Sequence, residues 1–260
     1  MIDKNRKTYK SSKIVNYYKY LSQLQPAEKN FIKHFQAQLS NFKMLDIGIG
    51  GGRTTQHFAP LVKEYVGIDY ASEMIEACHK RFGSVSNVSL KVMDARDMNQ
   101  FADNSFDFVL FSFNGIDYVP HSDRMKIFKE VARVGKSGCY FFFSSHNLQS
   151  IAKEFDYKNK LSLNIFRVYV DSIMFAFLRL FNLSITLKKL PKKNYCIIRD
   201  ESHNFQLKTY YVRPQEQIKQ LSTSFYNIKI FSWQSGKQIL DMNETVIDCD
   251  MWLYYLCLVN

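Results

Sequence analysis

The chain has 260 residues, 46% of them hydrophobic and 15% aromatic, which is enough for one large domain or one domain with an inserted cap. Its formal net charge of +11 raises nucleic acid or an acidic membrane surface as partners. Much of the excess lies in residues 1–20 and 188–193, and we interpret both stretches as solvated. We therefore do not expect a nucleic-acid partner.

The sequence predicts a protein without a membrane-spanning segment. Arg167, Asp171 and Arg179 interrupt its most apolar region, 161–187, so no run reaches the roughly 18 apolar residues that a spanning helix needs. The basic N-terminus lacks the apolar segment of a secretory signal. The five cysteines are far apart and predict reduced, mostly buried thiols of a cytoplasmic protein, with neither a disulfide nor a metal site: Cys78, Cys139, Cys196, Cys249 and Cys257.

Two helices, at 11–21 and 26–39, are predicted to form an N-terminal cap over residues 1–41. An apolar strand at 44–47 follows, and then a turn with Gly48, Gly50, Gly51 and Gly52 before a helix that begins near Arg53. Glycines let the backbone approach a ligand closely, and the first N–H groups of the helix are left to bind it. The dinucleotide pattern G-x-G-x-x-G/A would place a small residue at position 53, so arginine there weakens a nicotinamide or flavin interpretation.

Strands and helices then alternate, which predicts a mostly parallel sheet covered on both faces. The predicted strands are 65–69, 88–93, 106–111 and 139–144, and the helices between them are 72–82 and 122–134. Asp69 ends the second strand, 19 positions after Gly50, where a carboxylate can bond both hydroxyls of a ribose.

Four motifs in this region resemble the small-molecule group of class I S-adenosylmethionine-dependent methyltransferases. They are Gly-x-Gly-Arg-Thr-Thr at 50–55, Tyr-Val-Gly-Ile-Asp at 65–69, Phe-Ser-Phe-Asn-Gly-Ile-Asp-Tyr at 111–118 and Ser-Ser-His-Asn at 144–147. The resemblance covers 42–147 and departs at 135–138, where many relatives have Lys-Pro-Gly-Gly. It implies a Rossmann-like, doubly wound sheet of seven mostly parallel strands with an antiparallel edge hairpin.

The resemblance also implies S-adenosyl-L-methionine as the cofactor and S-adenosyl-L-homocysteine as its product. The cofactor residues that it implies are Asp46, Gly48, Gly50, Gly52, Asp69, Tyr70, Met74, Asp94, Ala95 and Phe111. Asp46 is expected to bond towards the amino group, Asp69 to hold the ribose, and Asp94 to accept from the adenine amine.

The acceptor is expected at the carboxyl ends of the fourth and fifth strands, where open α/β sheets bind ligands. His146 is the first candidate base, since imidazole titrates near neutral pH, and a purely structural role is the alternative. His203 is the second candidate base. The predicted substrate-binding residues are Ser112, Asn114, Tyr118, Asn147, Tyr210 and Tyr211.

Residues 148–213 break the alternation and are predicted to form an inserted cap or lid. Within this segment, 165–183 is a helix whose apolar surface is too wide for one sheet face, so it covers the active site or makes an oligomer contact. Strands at 195–199 and 206–212 are predicted to form a hairpin over the pocket. Residues 214–260 return to the core sheet, with a helix at 214–221 and strands at 228–233 and 251–259.

The leading hypothesis is methyl transfer to an oxygen or nitrogen of a small molecule by a monomer or homodimer. Two other acceptors stay open: a lipid or quinone at the membrane surface, reached by peripheral contact, and nucleic acid. A non-catalytic subunit that binds the cofactor is the alternative from another functional class. Exocyclic base-amine enzymes usually carry Asn/Asp-Pro-Pro-Tyr/Phe after the fourth strand, where this chain has Ser-Phe-Asn-Gly at 112–115.

Overall fold

A computed structural model describes residues 18, 20–160, 164–241, 247 and 249–260, without the side chains of 159, 160, 202 and 203. Within these residues we describe seven α-helices, α1 to α7 in chain order: Pro26–Leu39, Thr55–Phe58, Ser72–Phe82, His121–Val134, Leu148–Glu154, Ile165–Phe181 and Pro214–Leu221. The same part of the chain contains ten strands, β1 to β10: Lys43–Ile47, Glu64–Asp69, Val88–Val92, Phe106–Phe111, Gly135–Asn147, Tyr195–Ile198, Thr209–Val212, Phe225–Ser232, Gln238–Ile239 and Trp252–Val259. The predicted first helix, 11–21, lies almost wholly outside the described residues.

The central sheet has the order β3-β2-β1-β4-β5-β10-β8-β9. Pairing is parallel from β3 to β5 and antiparallel between β5, β10, β8 and β9. The predicted doubly wound sheet with an antiparallel edge is therefore confirmed. The order reverses between β1 and β4, because the chain moves outward to β3 before it crosses back.

Helices cover both faces of this sheet because alternate residues of each strand point in opposite directions. Leu45 and Ile47 of β1 pack on one face with α4 and α7, whereas Met44 packs on the other face with α1 and α3. Asp46 therefore points to the face opposite Leu45 and Ile47. This alternation decides which strand-end residues can reach a ligand.

Strand β5 is longer than predicted and changes the position of His146. It begins at Gly135, and its register with β4 jumps from the pair Phe106–Gly135 to the pair Phe108–Tyr140. Residues 135–138, where the sequence departs from the resembled family, form a bulge in the strand, with Gly138 at φ +78°. At its other end the strand continues to Asn147, so His146 lies within the sheet and not in a loop after it.

The segment 148–213 adds a small layer beside the end of β5. Strands β6 and β7 pair antiparallel, as predicted, and β7 also pairs in parallel with β5 at His146 and Asn147. The hairpin thus extends the sheet at this point. A separate apolar cluster packs α5, α6 and the hairpin together, with Leu148, Leu178 and Ile198 among its buried members.

Candidate active site

A first cavity opens at the carboxyl ends of β1 and β4, the point where the strand order reverses. Ile47 and Gly48 border it from β1, and Phe111 and Ser112 border it from β4. In open α/β sheets the loops diverge here and leave a crevice. The cavity therefore lies where this fold class binds its ligands.

The glycine turn shapes one wall of the first cavity through backbone geometry. Gly48 and Gly50 both line the cavity and have φ of +68° and +53°, a conformation that side chains disfavour. A Cβ at Gly48 would lie 3.0 Å from the ring of Phe111, and one at Gly50 would lie 3.4 Å from Tyr18. The turn is a cradle of bare backbone that a Cβ would fill.

Asp69 joins the glycine turn to the end of β2 and faces the same cavity. Its Oδ2 accepts a hydrogen bond from the Gly50 amide at 3.0 Å, and its Oδ1 accepts one from the Ala71 amide at 2.9 Å. A carboxylate has about four acceptor positions, so each oxygen can still accept a hydroxyl. Burial raises the pKa of Asp69 to about 6, although these backbone donors lower it. The group fits the recognition of a pair of hydroxyls.

The far wall carries the residues expected to surround an adenine. Tyr70, Met74 and Ala95 line it together with Asp94. Arg96, which the sequence analysis did not single out, also lines this wall and holds Asp94 through contacts of 2.9 Å and 2.6 Å. Because Arg96 donates to both oxygens of Asp94, the remaining acceptor positions of that carboxylate are fixed in direction.

Two residues expected at the cofactor, Asp46 and Gly52, do not border the first cavity. Asp46 accepts from the hydroxyls of Thr54 at 2.5 Å and Tyr65 at 2.6 Å, and its side chain is on the sheet face away from the cavity. Gly52 has φ +88°, and a Cβ there would lie 2.5 Å from the ring of Phe82 in α3. Neither residue lines the cavity. The other eight residues expected to bind the cofactor do line it.

A buried ion pair supports the floor between the glycine turn and β4. Arg53 donates to Glu28 through two contacts of 2.6 Å and 2.7 Å, and it also contacts the Ser112 hydroxyl at 3.0 Å and the Gln23 carbonyl at 3.1 Å. Burial alone would raise the pKa of Glu28, but its hydrogen bonds and attraction to Arg53 outweigh burial and lower it. The arginine that disfavours a dinucleotide pattern thus ties helix α1 to the cavity floor.

A second cavity, of about 280 Å³, lies between the end of β5 and helix α6. Its apolar wall comes from α5, α6 and the segment before β7, with Ile151, Met174, Phe175, Leu178 and Phe205. Its polar lining comprises His146, Ser150, Glu154, Asp200, Glu201 and Tyr211, with no lysine or arginine among the described residues. The second cavity therefore suits an apolar molecule without negative charge.

His146 stands between the two cavities. Its side chain lines the second cavity, while its ring centroid is 6.4 Å from that of Tyr118, which lines the first. Trp252, also in the second cavity, is 6.4 Å from Phe113 in the first. The walls of the two cavities are thus in contact at these aromatic rings.

Asp117 fixes the orientation of His146. Its Oδ2 accepts from the His146 amide at 2.6 Å and lies 2.7 Å from Nδ1 of the same residue. Because Oδ2 already acts as an acceptor, we assign the ring proton to Nδ1, which leaves a lone pair on Nε2. Asp117 was not predicted from the sequence, since it lies 29 residues before His146 in a short 3-10 turn, where an acid looks like an ordinary turn residue.

Arg124 secures this carboxylate from the other side. It is fully buried and donates to Asp117 Oδ1 at 2.5 Å and to the Ser145 hydroxyl at 2.9 Å, and it also donates to Gln217. A buried aspartate with a paired arginine and several donors is held in one position.

Asn114 adds polar groups beside His146. Its Nδ2 lies 3.4 Å from His146 Nε2, and its buried Oδ1 has no hydrogen-bond partner among the described residues. An orphaned buried acceptor of this kind calls for a donor from a ligand or water. The role of Asn114 in binding the acceptor molecule stays a prediction.

Of the remaining predicted site residues, some line a cavity and others have side chains that hold the fold together. Ser112 and Tyr118 line the first cavity, and Tyr211 lines the second. Asn147 instead donates to backbone oxygens of Ile247 and Asp250 and caps helix α5, so its side chain is occupied by the fold.

Tyr210 lies on the opposite face of β7 from Tyr211 and borders neither cavity. Its hydroxyl bonds His121 Nδ1 at 2.8 Å and Gln220 at 3.1 Å. The side chain of His203 lies outside the described residues, so its role as a second base stays a prediction.

Comparison with known proteins identifies a known domain within this chain. Residues 44–138 match the family described as "Methyltransferase domain". The chain is 34% identical over 106 residues to the "Uncharacterized methyltransferase YcgJ" of Bacillus subtilis, covering 40% of this chain and 40% of that protein. It is 28% identical over 128 residues to a ubiquinone biosynthesis O-methyltransferase of Hydrogenovibrio crunogenus, covering 49% and 52%. The match thus spans about half or less of these relatives.

Solved structures extend the similarity of fold beyond the matched domain. An S-adenosylmethionine dependent methyltransferase from Mesorhizobium loti aligns with a TM-score of 0.59 over 89% of this chain and 97% of its own, at 13% identity. At this identity the likeness concerns the fold alone. Together these comparisons show that residues 44–138 match a methyltransferase domain and that the chain has the fold of solved S-adenosylmethionine-dependent methyltransferases.

Proposed function

We propose that the chain transfers a methyl group from S-adenosylmethionine, bound in the first cavity, to an oxygen or nitrogen of a small molecule in the second cavity. The observation that carries the proposal is His146, oriented by Asp117 and standing where the walls of the two cavities touch. When bound, the cofactor supplies an electrophilic methyl group to a nucleophile aligned with it.

The residues of this chain would bind the cofactor, orient the acceptor and remove a proton from the acceptor. The backbone of Gly48 and Gly50 and the carboxylate of Asp69 would hold the cofactor, and Tyr70 and Met74 would pack on its base. Nε2 of His146 would accept the proton that the hydroxyl or amine of the acceptor loses as it is methylated. Proximity and alignment would supply the remaining acceleration.

The second cavity limits the acceptor. Three carboxylates, Glu154, Asp200 and Glu201, line it beside an apolar wall. A phosphate-bearing molecule would be repelled there, which argues against nucleic acid as the acceptor. An apolar body with one hydroxyl or amino group fits the lining best.

A lipid or quinone acceptor is the second candidate, and helix α6 favours it. Met174, Phe175 and Leu178 of this helix form one wall of the second cavity, while much of its remaining apolar surface is exposed. A molecule that partitions into membranes would fit such a wall. The relative from Hydrogenovibrio crunogenus, named for ubiquinone biosynthesis, supports the same acceptor class.

The test is transfer from methyl-labelled cofactor to a panel of phenols, amines and reduced quinones. We expect His146→Ala to lower single-turnover transfer about 100-fold while affinity for S-adenosylhomocysteine stays within about twofold, because the lost group acts on the acceptor. His121→Ala is the matched control, since His121 bonds Tyr210 outside both cavities.

Wild-type rates in His146→Ala would leave a structural role for His146. A wild-type chain that binds the cofactor and methylates no member of the panel would favour a non-catalytic subunit. The free thiols Cys78, Cys139, Cys196 and Cys257, all buried, support the further proposal of a cytoplasmic location.

A further inference from the structure

Helix α6 exposes an unusually large apolar surface. Among its residues, all of which are described, only Leu178 is buried. Ile165, Phe166 and Tyr169 are 86%, 76% and 64% exposed, and the exposed set continues with Val170, Ile173, Phe177, Leu180 and Phe181. The sequence predicts that this helix covers the active site or makes an oligomer contact. Met174, Phe175 and Leu178 line the second cavity, whereas the exposed residues face away from the described residues.

The apolar surface continues beyond the helix and ends in cations. Leu183 and Leu187 are 74% and 45% exposed. Four exposed lysines follow within seven residues: Lys188, Lys189, Lys192 and Lys193. We call the exposed apolar residues of 165–187 together with these lysines the α6 surface.

The α6 surface is strongly cationic as well as apolar. Residues 164–193 contain six lysines and arginines and one acid, Asp171, for a net charge of +5. That acid already lies 3.6 Å from Arg167. Lysines and arginines beside exposed Leu, Phe and Tyr are the composition of helices that lie in the interface of an anionic membrane.

The length of the helix agrees with lying on a bilayer and not with crossing it. Seventeen residues at 1.5 Å each span about 25 Å, which is short of the roughly 30 Å hydrocarbon core. Among the described helices, none is long and apolar enough to cross a membrane. A self-contact between two copies of this surface would bring together patches that each carry +5, which disfavours a dimer here.

We propose that the α6 surface docks this chain on an anionic lipid membrane, with Phe166, Tyr169 and Leu183 among the residues that enter the acyl boundary and Lys188–Lys193 contacting the head groups. The proposal does not rest on the methyl-transfer reaction. Its one consequence for the site is that the membrane-bound helix would also form one wall of the second cavity.

The test is co-sedimentation of the full chain with phosphatidylcholine vesicles, with and without 30% phosphatidylglycerol. We expect binding at least tenfold tighter to the anionic vesicles and a marked loss at high salt, because screening weakens head-group contacts. Replacing the four lysines by glutamine should remove this preference.

Leu183→Glu and Leu240→Glu form the matched pair, since both leucines are exposed, by 74% and 84%, and the second lies outside the α6 surface. Leu183→Glu should lower vesicle binding at least tenfold, and Leu240→Glu should change it less than twofold. Equal effects of the two variants, or equal binding to neutral and anionic vesicles, would overturn the proposal. So would a dimer in sedimentation velocity that Leu183→Glu dissociates, because the surface would then be an interface between copies.

Discussion

Asp46 carries a pH dependence that can be measured as stability. Its carboxylate accepts hydrogen bonds from Thr54 and Tyr65 behind the glycine turn. Burial raises its pKa to about 7, although these two hydroxyls and the charge of Arg53 act in the opposite direction. Folding therefore favours the neutral carboxyl.

The sign of the effect follows from the unfolded pKa of about 3.9. Because folding raises the pKa of Asp46, the stabilisation that comes from the protonated carboxyl is fully present below about pH 4. This stabilisation is lost as the pH rises to 7. Asp46→Asn removes the titration. We therefore expect the free energy of unfolding of the wild type to fall relative to this variant by about 4 kcal/mol between pH 4 and pH 8.

Urea denaturation of both proteins across that range measures the difference. Parallel stability curves would show that folding does not move the Asp46 pKa.

The same residue explains a limit of sequence reasoning. The motif marks Asp46 as the acid of the first strand, and the family resemblance directs it to the ligand. Its direction, however, depends on strand alternation, which places it beside Tyr65 and away from Ile47, the neighbour that lines the cavity. For the same reason Tyr211 lines the second cavity and Tyr210 does not, since they lie on opposite faces of β7. The two side chains are chemically identical, so only the register of β7 distinguishes them.

Asp117 shows the complementary limit. The sequence places it in Phe-Ser-Phe-Asn-Gly-Ile-Asp-Tyr, a motif assigned here to the acceptor region, but residues 29 apart give no sign of a shared hydrogen bond. Strands β4 and β5 are adjacent and parallel, so their carboxyl ends lie side by side. The fold therefore brings the side chains of Asp117 and His146 together. A dyad formed in this way becomes visible only with the strand order.

At the scale of elements, the glycine turn and the β5 bulge offer a matched pair of substitutions. Gly52 and Gly138 have φ of +88° and +78°, so alanine at either position strains the backbone by about 1–2 kcal/mol. Only at Gly52 does the new Cβ meet a neighbour, the Phe82 ring at 2.5 Å, whereas nothing lies within 4 Å at Gly138. Overpacking of this kind adds about 1–3 kcal/mol.

We therefore expect Gly52→Ala to lower the free energy of unfolding clearly more than Gly138→Ala, as measured by chemical denaturation at one pH. If the two substitutions lower the free energy of unfolding equally, the close packing of the glycine turn on α3 is not present in solution.

Element bounds follow from the sequence where local signals are strong. Helices 26–39, 72–82 and 214–221 and strand 106–111 begin and end at the predicted residues, because proline at the start of two of the helices and apolar periodicity mark these elements. The end of β5 does not follow in this way. Ser-Ser-His-Asn lacks the apolar pattern of a strand, and it is extended because β7 and β10 pair with it.

At the scale of the whole molecule, the alternation of strands and helices predicted a mostly parallel sheet covered on both faces, and the family resemblance implied its doubly wound order and antiparallel edge. The arrangement of residues 148–213 was not predictable in the same way. Their hairpin joins β5 through a parallel pairing between residues far apart in the chain, and α6 leaves its widest apolar face exposed. Neither outcome is encoded in local periodicity.

The central claim is that the first cavity binds S-adenosylmethionine and its product through the glycine turn and Asp69. Calorimetric titration with S-adenosylhomocysteine at neutral pH tests it most directly, for the wild type, Asp69→Asn and the control Asp97→Asn, whose side chain is exposed and borders neither cavity. Charge-assisted hydrogen bonds are worth about 1.5–3 kcal/mol each, so Asp69→Asn should weaken binding about tenfold or more, while Asp97→Asn matches the wild type. A wild type that does not bind the ligand, or an Asp69→Asn variant that binds it equally well, would contradict the claim.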